Sequence, residues 1–335
     1  MNKKVVVIGG GVAGMQTALT LSELGLTPVI IEKEASTGGK LCKWHKLFPT
    51  LTPASEVLDG LRRRVSEAGI EVMTGRTVGR ITDSGVELED GTALACDATA
   101  VCTGFDIFDA TLKEEYGYGM YDNVFTTVDL EEMFNRGEVR MVNGEKPRRV
   151  AFLHCVGSRD EKVNQRHCSR VCCITGVKQA MEVKQMIPDA EIFNFYMDMR
   201  MFGPGYEEMY RQAQYEYNIQ FIRGRISEAS QTIDRRVQIK AEDTLVGRPL
   251  KMTVDMLVLI VGMKAGASNE RLGGCCGVDL YPSGFVRPAD QFLRNVCSGS
   301  ERVFYAGTVS APKNVGESIN EGIAAAYKIS RYLNR

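Results

Sequence analysis

The chain has 335 residues with 41 basic and 42 acidic side chains, so its formal net charge is only -1. This length exceeds the usual size of one hydrophobic core and predicts two domains. The charge balance excludes a whole-protein field that would attract nucleic acid or an anionic membrane.

The start of the chain and its apolar runs indicate the compartment. Met1-Asn2-Lys3-Lys4 leads directly into a strand pattern without an export signal, and no apolar run reaches the ~20 residues that a membrane span needs. We therefore expect a cytoplasmic protein with no transmembrane segment and no nucleic-acid partner. In that compartment the ten cysteines are expected to be thiols or ligands, not disulfides.

A dinucleotide-binding motif opens the chain. Residues 5–8 predict a buried strand, Gly9-Gly10-Gly11-Val12-Ala13-Gly14 follows it, and residues 15–24 have helical apolar spacing. Gly9 permits a tight turn, Gly11 lets the backbone approach a pyrophosphate, and Gly14 lets the helix pack on the strand. A second strand, residues 28–31, ends at Glu32, where a carboxylate can accept hydrogen bonds from an adenosine ribose. Together with the adjacent Lys33, these residues are candidates for cofactor binding.

Three later segments indicate which dinucleotide is bound. Gly38-Gly39-Lys40, Ala100-Val101-Cys102-Thr103-Gly104 and Arg302-Val303-Phe304-Tyr305-Ala306-Gly307-Thr308 resemble segments of the two-domain flavoproteins of the thioredoxin reductase type. The resemblance implies FAD at the first motif, with contributions from Gly39, Lys40, Thr103, Gly104, Gly307 and Thr308. Thr308 stands where those flavoproteins have an acid that holds the ribityl chain.

The predicted fold class is α/β, with two Rossmann-like dinucleotide-binding domains of the thioredoxin reductase and FAD-dependent oxidoreductase type. Residues 70–100 fit the small β-meander of that fold, with hairpin turns at Asp83-Ser84-Gly85 and Glu89-Asp90-Gly91. The FAD domain is predicted as residues 1–110 and 263–335, and residues 111–262 as an inserted domain. After the inserted domain's first strand, residues 150–153, only Gly157 remains of a second glycine motif, so ordinary nicotinamide binding is not expected there.

Four cysteines occupy the position of that missing motif. Cys155, Cys168, Cys172 and Cys173 follow the strand in the order C-x12-C-x3-C-C, with Arg159 nearby to favour deprotonation. Four thiolates have the ligand count of a tetrahedral metal site, and the spacing admits either zinc or an iron-sulfur cluster. Buried cysteines that serve only as small core residues are the alternative.

The same segment resembles one family residue by residue. Cys155-Val156-Gly157-Ser158-Arg159, then Cys168-Ser169-Arg170-Val171-Cys172-Cys173 with Lys178 beyond them, resembles the A-type flavoprotein of heterodisulfide reductase and its relatives. The resemblance implies that the four cysteines hold a 4Fe-4S cluster close to FAD. It also implies that Lys178 approaches the reactive nitrogen of the flavin, where a cation would stabilise the reduced, anionic ring.

The resemblance covers the flavin-binding core of the family and not its additional iron-sulfur modules. It implies electron transfer between FAD and the cluster in a sulfur-metabolism complex, with a homodimer and B-type and C-type subunits as partners. The short chain looks most like the A-type flavoprotein of the bacterial sulfur-oxidising complex, followed by that of the quinone-interacting oxidoreductase. One alternative is a stand-alone NAD(P)H-dependent disulfide reductase, although Cys42 has no second cysteine close by to form a dithiol. The other is a flavin-bearing assembly protein with structural zinc on the four cysteines.

Overall fold

The structure is a computed structural model, and it describes residues 3–335. Seven α-helices occur in that range: α1 (Val12–Glu23), α2 (Ala54–Glu67), α3 (Thr127–Asn135), α4 (Cys172–Met186), α5 (Tyr206–Tyr215), α6 (Ala267–Leu272) and α7 (Val315–Leu333). None of these helices is both long and apolar enough to cross a membrane.

The strands, in chain order, are β1 (Lys4–Ile8), β2 (Thr27–Ile31), β3 (Lys46–Leu47), β4 (Thr52–Pro53), β5 (Glu71–Met73), β6 (Val78–Thr82), β7 (Gly85–Leu88), β8 (Ala93–Ala95), β9 (Ala98–Val101), β10 (Phe105–Ile107), β11 (Val124–Thr126), β12 (Arg149–Val156), β13 (Glu191–Tyr196), β14 (Gln220–Arg223), β15 (Ile226–Gln231), β16 (Val237–Asp243), β17 (Arg248–Val254), β18 (Met256–Val261), β19 (Met263–Ala265), β20 (Asp279–Leu280), β21 (Val286–Arg287) and β22 (Val303–Tyr305).

The chain divides into two compact units. The first contains residues 3–42, Ala54–Asp106 and Lys264–Arg335, and the second contains Lys43–Pro53 and Ile107–Met263. The first unit is therefore discontinuous in sequence. The domain boundaries given above, 1–110, 111–262 and 263–335, stay a prediction.

The first unit is built on a parallel sheet in the order β22-β9-β1-β2-β5. Val6 on β1 pairs with Val29 on one side and with Thr99 on the other, so β1 is central and buried. Parallel strands with helices on their faces read as continuous apolar runs, and residues 5–8 have that pattern. The strands β6, β7 and β8 form a separate antiparallel meander.

Helices α1 and α7 lie close together in the first unit. A Cβ added to Gly322 of α7 would lie 2.8 Å from the Ala13 carbonyl oxygen, so the absence of a side chain permits this approach. The start of α7 is fixed by a capping box, in which Asn314 accepts from the Glu317 N–H and the Glu317 carboxylate accepts from the Asn314 N–H. These contacts hold the N-terminus of α7 in one position within the unit.

The second unit is built on another parallel sheet, in the order β11-β18-β12-β13-β14. Side chains of β12 alternate between its two faces: Phe152 packs in the core on the side of α4 and α5, while Ala151 and Leu153 pack on the other side. An antiparallel sheet of β15, β16 and β17 contributes Val237 and Ile239 to that second core. The predicted fold class, two Rossmann-like α/β units, is confirmed.

Candidate flavin site and cysteine centre

The glycine motif has the geometry of a phosphate-binding turn. Gly9 has φ +105°, and a Cβ there would lie 2.5 Å from the Cys102 carbonyl oxygen. A Cβ on Gly14 would lie 1.9 Å from the Gly9 carbonyl oxygen, so the turn and helix α1 fit together only without side chains. A Cβ on Gly11 would meet nothing within 4 Å. The open side of Gly11, at the N-terminus of α1 next to Val12, is where a pyrophosphate group fits.

The Glu32 carboxylate belongs to the same turn. One oxygen accepts a hydrogen bond from the Gly10 N–H at 2.6 Å and the other accepts from the Glu34 N–H at 2.9 Å. The side chain is buried at the end of β2, while the neighbouring Lys33 is exposed. Glu32 therefore stabilises the glycine turn directly, in addition to the ribose contact predicted for it.

The remaining predicted flavin residues lie on other segments of the first unit. A Cβ on Gly39 would lie 3.2 Å from the Gly11 Cα atom, and a Cβ on Gly307 would lie 2.6 Å from the Ala13 Cβ atom. Gly104 has φ +77°, and a Cβ there would lie 3.7 Å from the Thr308 hydroxyl oxygen. The Thr103 hydroxyl donates to Asn269 at 3.1 Å, and the Lys40 ammonium lies 3.9 Å from the Asp106 carboxylate. Gly39 and Gly307 thus lie against the glycine turn and the start of α1, and Thr103, Gly104 and Thr308 follow the carboxyl ends of β9 and β22.

Sequence reasoning missed Glu321 at this site. Its carboxylate accepts a hydrogen bond from the Gly307 N–H at 3.0 Å and lies 3.4 Å from the Lys313 ammonium. Burial raises the pKa of Glu321, while Lys313 and the Gly307 N–H oppose that shift. Because Thr308 carries no charge, Glu321 supplies an acid close to this point from helix α7. Because Glu321 lies on a helix and not in the Gly307-Thr308 segment, no local sequence pattern indicated that it belongs to this site.

The four predicted cysteines come together in the second unit. Cys155 lies on β12 at a bulge, with φ +63°, while Cys172 and Cys173 begin helix α4. Cys168 lies on the intervening loop. The Cys172 thiol is in hydrogen-bond contact with Cys155, Cys168 and Cys173. Within residues 3–335 no group of three or more His, Cys, Asp or Glu side chains already has metal-site geometry.

Mutual hydrogen bonding sets the protonation of these thiols. Contact with the Cys172 thiol lowers the pKa of Cys168 to about 5 and that of Cys173 to about 4, in each case against the effect of burial. The pKa of Cys155 is lowered by the same contact. The pKa of Cys172 is raised, since its proton is shared with the other three sulfurs. The pKa values of three of the four thiols are thus lowered in the direction of the thiolate, which is the form that binds iron or zinc.

Two of these sulfurs each accept a hydrogen bond from a backbone N–H group. The Arg170 N–H donates to the Cys168 sulfur at 3.3 Å, and the Arg200 N–H donates to the Cys173 sulfur at 3.4 Å. His154 is buried and its Nε2 atom lies 2.9 Å from the Asn194 side-chain oxygen. The imidazole also lies beside Cys173 and lowers the pKa of that thiol, although Nδ1 has no well-formed hydrogen bond within the described residues. Such outer contacts orient the ligands of a metal centre and tune its potential.

Buried charges hold the loop that carries Cys168. Asp160 accepts a hydrogen bond from Lys113 at 2.8 Å and from Arg225 at 2.9 Å, and it caps the short 3-10 helix Glu161–Val163. Lys113 and Asp160 are both almost completely buried. This anchor fixes one point of the loop between Cys155 and Cys168.

Protein atoms fill the position of the missing second glycine motif. Gly157 has φ +68°, and a Cβ there would lie 2.0 Å from the Phe108 ring. The Ser158 and Ser169 hydroxyls share a hydrogen bond at 2.5 Å in the same buried region. The turn after β12 is therefore closed by side chains of the unit itself.

Lys178 is buried on helix α4 and is fully engaged by acidic partners. Its ammonium lies 2.5 Å from Glu131 and 2.8 Å from Glu182, and the ring of Phe134 lies 5.7 Å from it. All three charged side chains are at most 2% exposed. Sequence reasoning singled out Lys178 but neither carboxylate, although Glu182 is four residues further along the same helix. The positive charge is offset within this group and is not an isolated cation.

Comparisons with known proteins agree with the flavin site. A family model described as a FAD binding domain matches residues 4–44. The chain is 32% identical to the A-type iron-sulfur component of the CoB–CoM heterodisulfide reductase of Methanocaldococcus jannaschii, with 98% of this chain and 64% of that protein aligned. It is 31% identical to the A-type component of the H(2):CoB-CoM heterodisulfide,ferredoxin reductase of Methanothermobacter thermautotrophicus, with 97% of this chain and 63% of that protein aligned. The chain thus spans less than two thirds of the length of these relatives.

The fold is similar to that of a solved flavoprotein. The crystal structure of thioredoxin reductase from T. acidophilum superposes with a TM-score of 0.71 over the whole of both chains, at 17% sequence identity. This similarity shows a two-domain, thioredoxin reductase-like fold. The alignment with the Methanocaldococcus jannaschii protein runs over 425 positions, more than the 335 residues of this chain, so that relative contains segments absent here.

Proposed function

Because this chain is related over almost its whole length to the A-type components of heterodisulfide reductase, we propose that it transfers electrons between FAD and a 4Fe-4S cluster. The observation that supports this proposal best is the convergence of four thiols on Cys172, at the end of β12 and the start of α4. Three of these cysteines are buried and Cys168 is half-buried. Four converging sulfurs with lowered pKa values at three of them match the donor set of an iron-sulfur cluster.

The residues that would hold each group are distinct. The glycine turn with Gly11, together with Glu32, Gly104 and Gly307, would hold FAD, and Cys155, Cys168, Cys172 and Cys173 would hold the cluster. When bound, FAD exchanges electrons in pairs or singly, and a 4Fe-4S cluster exchanges them one at a time. The contribution of the protein is orientation and electrostatics. The N–H groups of Arg170 and Arg200 donate to the sulfurs, which favours the reduced state by stabilising negative charge.

Lys178 is the residue we propose to act beside the flavin. Its ammonium is held by two buried carboxylates, so it can be kept in one orientation without solvent. Glu131 and Glu182 offset the charge of Lys178. We therefore propose that Lys178 acts on the flavin as a positioned N–H donor and as a proton carrier more than through a net positive charge.

The identity of the complex is a finer proposal. We infer an A-type flavoprotein in a sulfur-metabolism complex. The bacterial sulfur-oxidising type is the first choice, and the quinone-interacting type is the second. The relatives are named as components of larger reductases, which supports a multisubunit assembly. Partners would be B-type and C-type subunits and a second copy of this chain, in the cytoplasm.

A second candidate function is a stand-alone flavoprotein disulfide reductase, which the thioredoxin reductase-like fold favours. That function needs a redox-active dithiol and a nicotinamide site. Cys42 is exposed and its sulfur contacts Thr37 and Arg62, with no second cysteine among its hydrogen-bond partners in residues 3–335. The closed turn at Gly157 also argues against nicotinamide binding in the second unit.

Electron paramagnetic resonance during a potentiometric titration tests the proposal. The protein is purified without oxygen and compared with Cys172→Ser and with Cys276→Ser, a control outside the four-thiol group. We expect the reduced wild type and the control to show a cluster signal that Cys172→Ser lacks. A flavin that is reduced rapidly by NADPH in an iron-free sample would favour the disulfide reductase, and bound zinc in place of iron would favour the structural-zinc alternative.

A further inference from the structure

The buried group around Lys178 reaches the protein surface at His45. The His45 Nδ1 atom lies 2.7 Å from one oxygen of Glu182, and the second oxygen of Glu182 lies 2.8 Å from the Lys178 ammonium. The Glu182 and Lys178 side chains are 1% and 2% exposed, while that of His45 is 26% exposed. One imidazole and one carboxylate therefore span the distance between solvent and the buried ammonium.

We propose that His45 and Glu182 form a proton path that exchanges protons between solvent and the Lys178 amino group. This inference rests on the proposed function, since reduction of FAD takes up protons and Lys178 is the group proposed to act beside it. The path identifies two residues that neither the sequence motif nor the relatives' names assign.

The two carboxylates differ in a way that assigns the path to Glu182. One oxygen of Glu131 accepts hydrogen bonds from Lys178 and Gln179, and its other oxygen accepts from the His45 N–H. Glu131 is therefore fully bonded and acts as an anchor. The Glu182 oxygen nearest Lys178 has no well-formed hydrogen bond within the described residues, despite the 2.8 Å contact. Glu182 is therefore held by fewer hydrogen bonds than Glu131, so its carboxyl group can turn between His45 and Lys178.

The buried group of Lys178, Glu131 and Glu182 contains two carboxylates and one ammonium, so it can take up one more proton before it becomes neutral. Lys178, Glu131 and Glu182 together have a formal charge of -1, which is costly in a buried position. The other charged or titratable groups that face Glu182 are His45 and Lys46, whose ammonium lies 4.0 Å from the same oxygen that contacts His45. A proton moving between His45 and Glu182 changes which atom carries the charge but leaves the total unchanged.

Each transfer moves one proton and no electron. The His45 Nδ1–H bond breaks as an O–H bond forms on Glu182, and His45 regains a proton from water at its other nitrogen. The Glu182 carboxyl group then turns so that this O–H faces Lys178, and the O–H bond breaks as an N–H bond forms on a Lys178 amine that has given up a proton. The net result is one proton taken from water for each proton that Lys178 releases.

The backbone holds His45 in place for this role. Besides the bond from the His45 N–H to Glu131, the Asn135 side chain donates to the Lys43 carbonyl oxygen at 3.0 Å. These bonds fasten the segment Lys43–Pro53 to helix α3. Asn135→Ala therefore loosens the same segment without touching the path and provides a matched control.

The direct test is the exchange rate of the Lys178 ammonium protons with water, measured by nuclear magnetic resonance on isotope-labelled lysine in the full chain. We expect His45→Ala and His45→Gln to slow exchange at least ~10-fold, and added imidazole to restore it in His45→Ala. Glu182→Gln is expected to be slow with or without imidazole, and Asn135→Ala to exchange like wild type. Wild-type rates in both His45 variants, or slow exchange that imidazole does not restore in His45→Ala, would overturn the path.

A second measurement separates this inference from the proposed function. Proton uptake is followed with a pH indicator while the cofactor-loaded protein is reduced by dithionite. If the path serves the flavin, His45→Ala slows uptake at least ~10-fold relative to Asn135→Ala, and imidazole restores it. Unchanged uptake in a variant whose ammonium exchange is slow would overturn the role of Lys178 beside FAD and leave the path itself intact.

Discussion

Replacing Lys178 by Met tests the buried charge group of the second unit. Met keeps most of the side-chain volume but removes the ammonium that lies 2.5 Å from Glu131 and 2.8 Å from Glu182. Both carboxylates are almost completely buried, and leaving such charges without their partner costs about 3–5 kcal/mol. We therefore expect Lys178→Met to lower the free energy of unfolding of this unit by about that amount.

The distribution of hydrogen bonds predicts which second substitution compensates. Glu131 keeps its bonds from Gln179 and the His45 N–H, both 2.8 Å long. Glu182 keeps the contact with the His45 ring and the more distant Lys46 ammonium at 4.0 Å. Most of the cost therefore falls on Glu182. Adding Glu182→Gln to Lys178→Met is expected to recover about 2 kcal/mol by removing an uncompensated charge, and adding Glu131→Gln to recover less.

Urea unfolding monitored by the fluorescence of Trp44 measures these differences. Trp44 is the only tryptophan of the chain and belongs to the second unit. Lys184→Met is the control, because Lys184 lies on the same helix but makes one hydrogen bond to the described part of the chain, to the Ala190 carbonyl oxygen. Its loss costs only about 1 kcal/mol. A Lys178→Met protein as stable as this control would contradict the assignment of a strongly coupled buried group.

Two further predictions concern the glycine turn and the thiols. Gly14→Ala would place a Cβ atom 1.9 Å from the Gly9 carbonyl oxygen, and it should weaken FAD binding at least ~10-fold. Gly60→Ala is the control, because a Cβ there meets nothing within 4 Å, and this variant should bind FAD normally. Fluorescence titration with FAD measures both affinities. In the metal-free protein, the pKa of Cys168 of about 5 predicts that its alkylation rate is nearly constant above pH 6 and falls as pH drops through 5. Cys276, whose pKa is raised by burial and Asp83, should instead react faster as the pH rises above 9, and a parallel pH dependence of the two by mass spectrometry would contradict this difference.

Local sequence patterns account for the parts of the molecule that were predicted well. The run 5–8 followed by the glycine motif specifies a strand, a turn and a helix within twenty residues, and β1 and α1 form there. The confirmed α/β fold class follows from several such segments. The spacing of the four cysteines similarly indicated that they lie together, because a strand end and a helix start are close when the loop between them folds back. That they bind a metal stays a prediction.

Contacts between distant segments account for what was not predicted. Glu321 approaches Gly307 from α7, and His45 approaches Glu182 from the segment Lys43–Pro53. Neither pair has a recognisable spacing, because the contacts depend on how elements far apart in sequence pack. The Glu182 contact with Lys178 was visible as an i, i+4 pair on one helix, but that spacing alone does not distinguish a buried pair from a solvated one. The burial of both side chains, which the spacing does not show, is what makes Lys178 and Glu182 a strongly interacting pair.

The central claim is that Cys155, Cys168, Cys172 and Cys173 bind an iron-sulfur cluster in a chain that also binds FAD. Iron, acid-labile sulfide and FAD content, measured after anaerobic reconstitution of wild type, Cys172→Ser and Cys276→Ser, tests it most directly. We predict about four iron and four sulfide per FAD in the wild type and in Cys276→Ser, and FAD without a cluster in Cys172→Ser. Wild-type protein that holds FAD but takes up no iron, or that loses no iron on the Cys172 substitution, would contradict the claim.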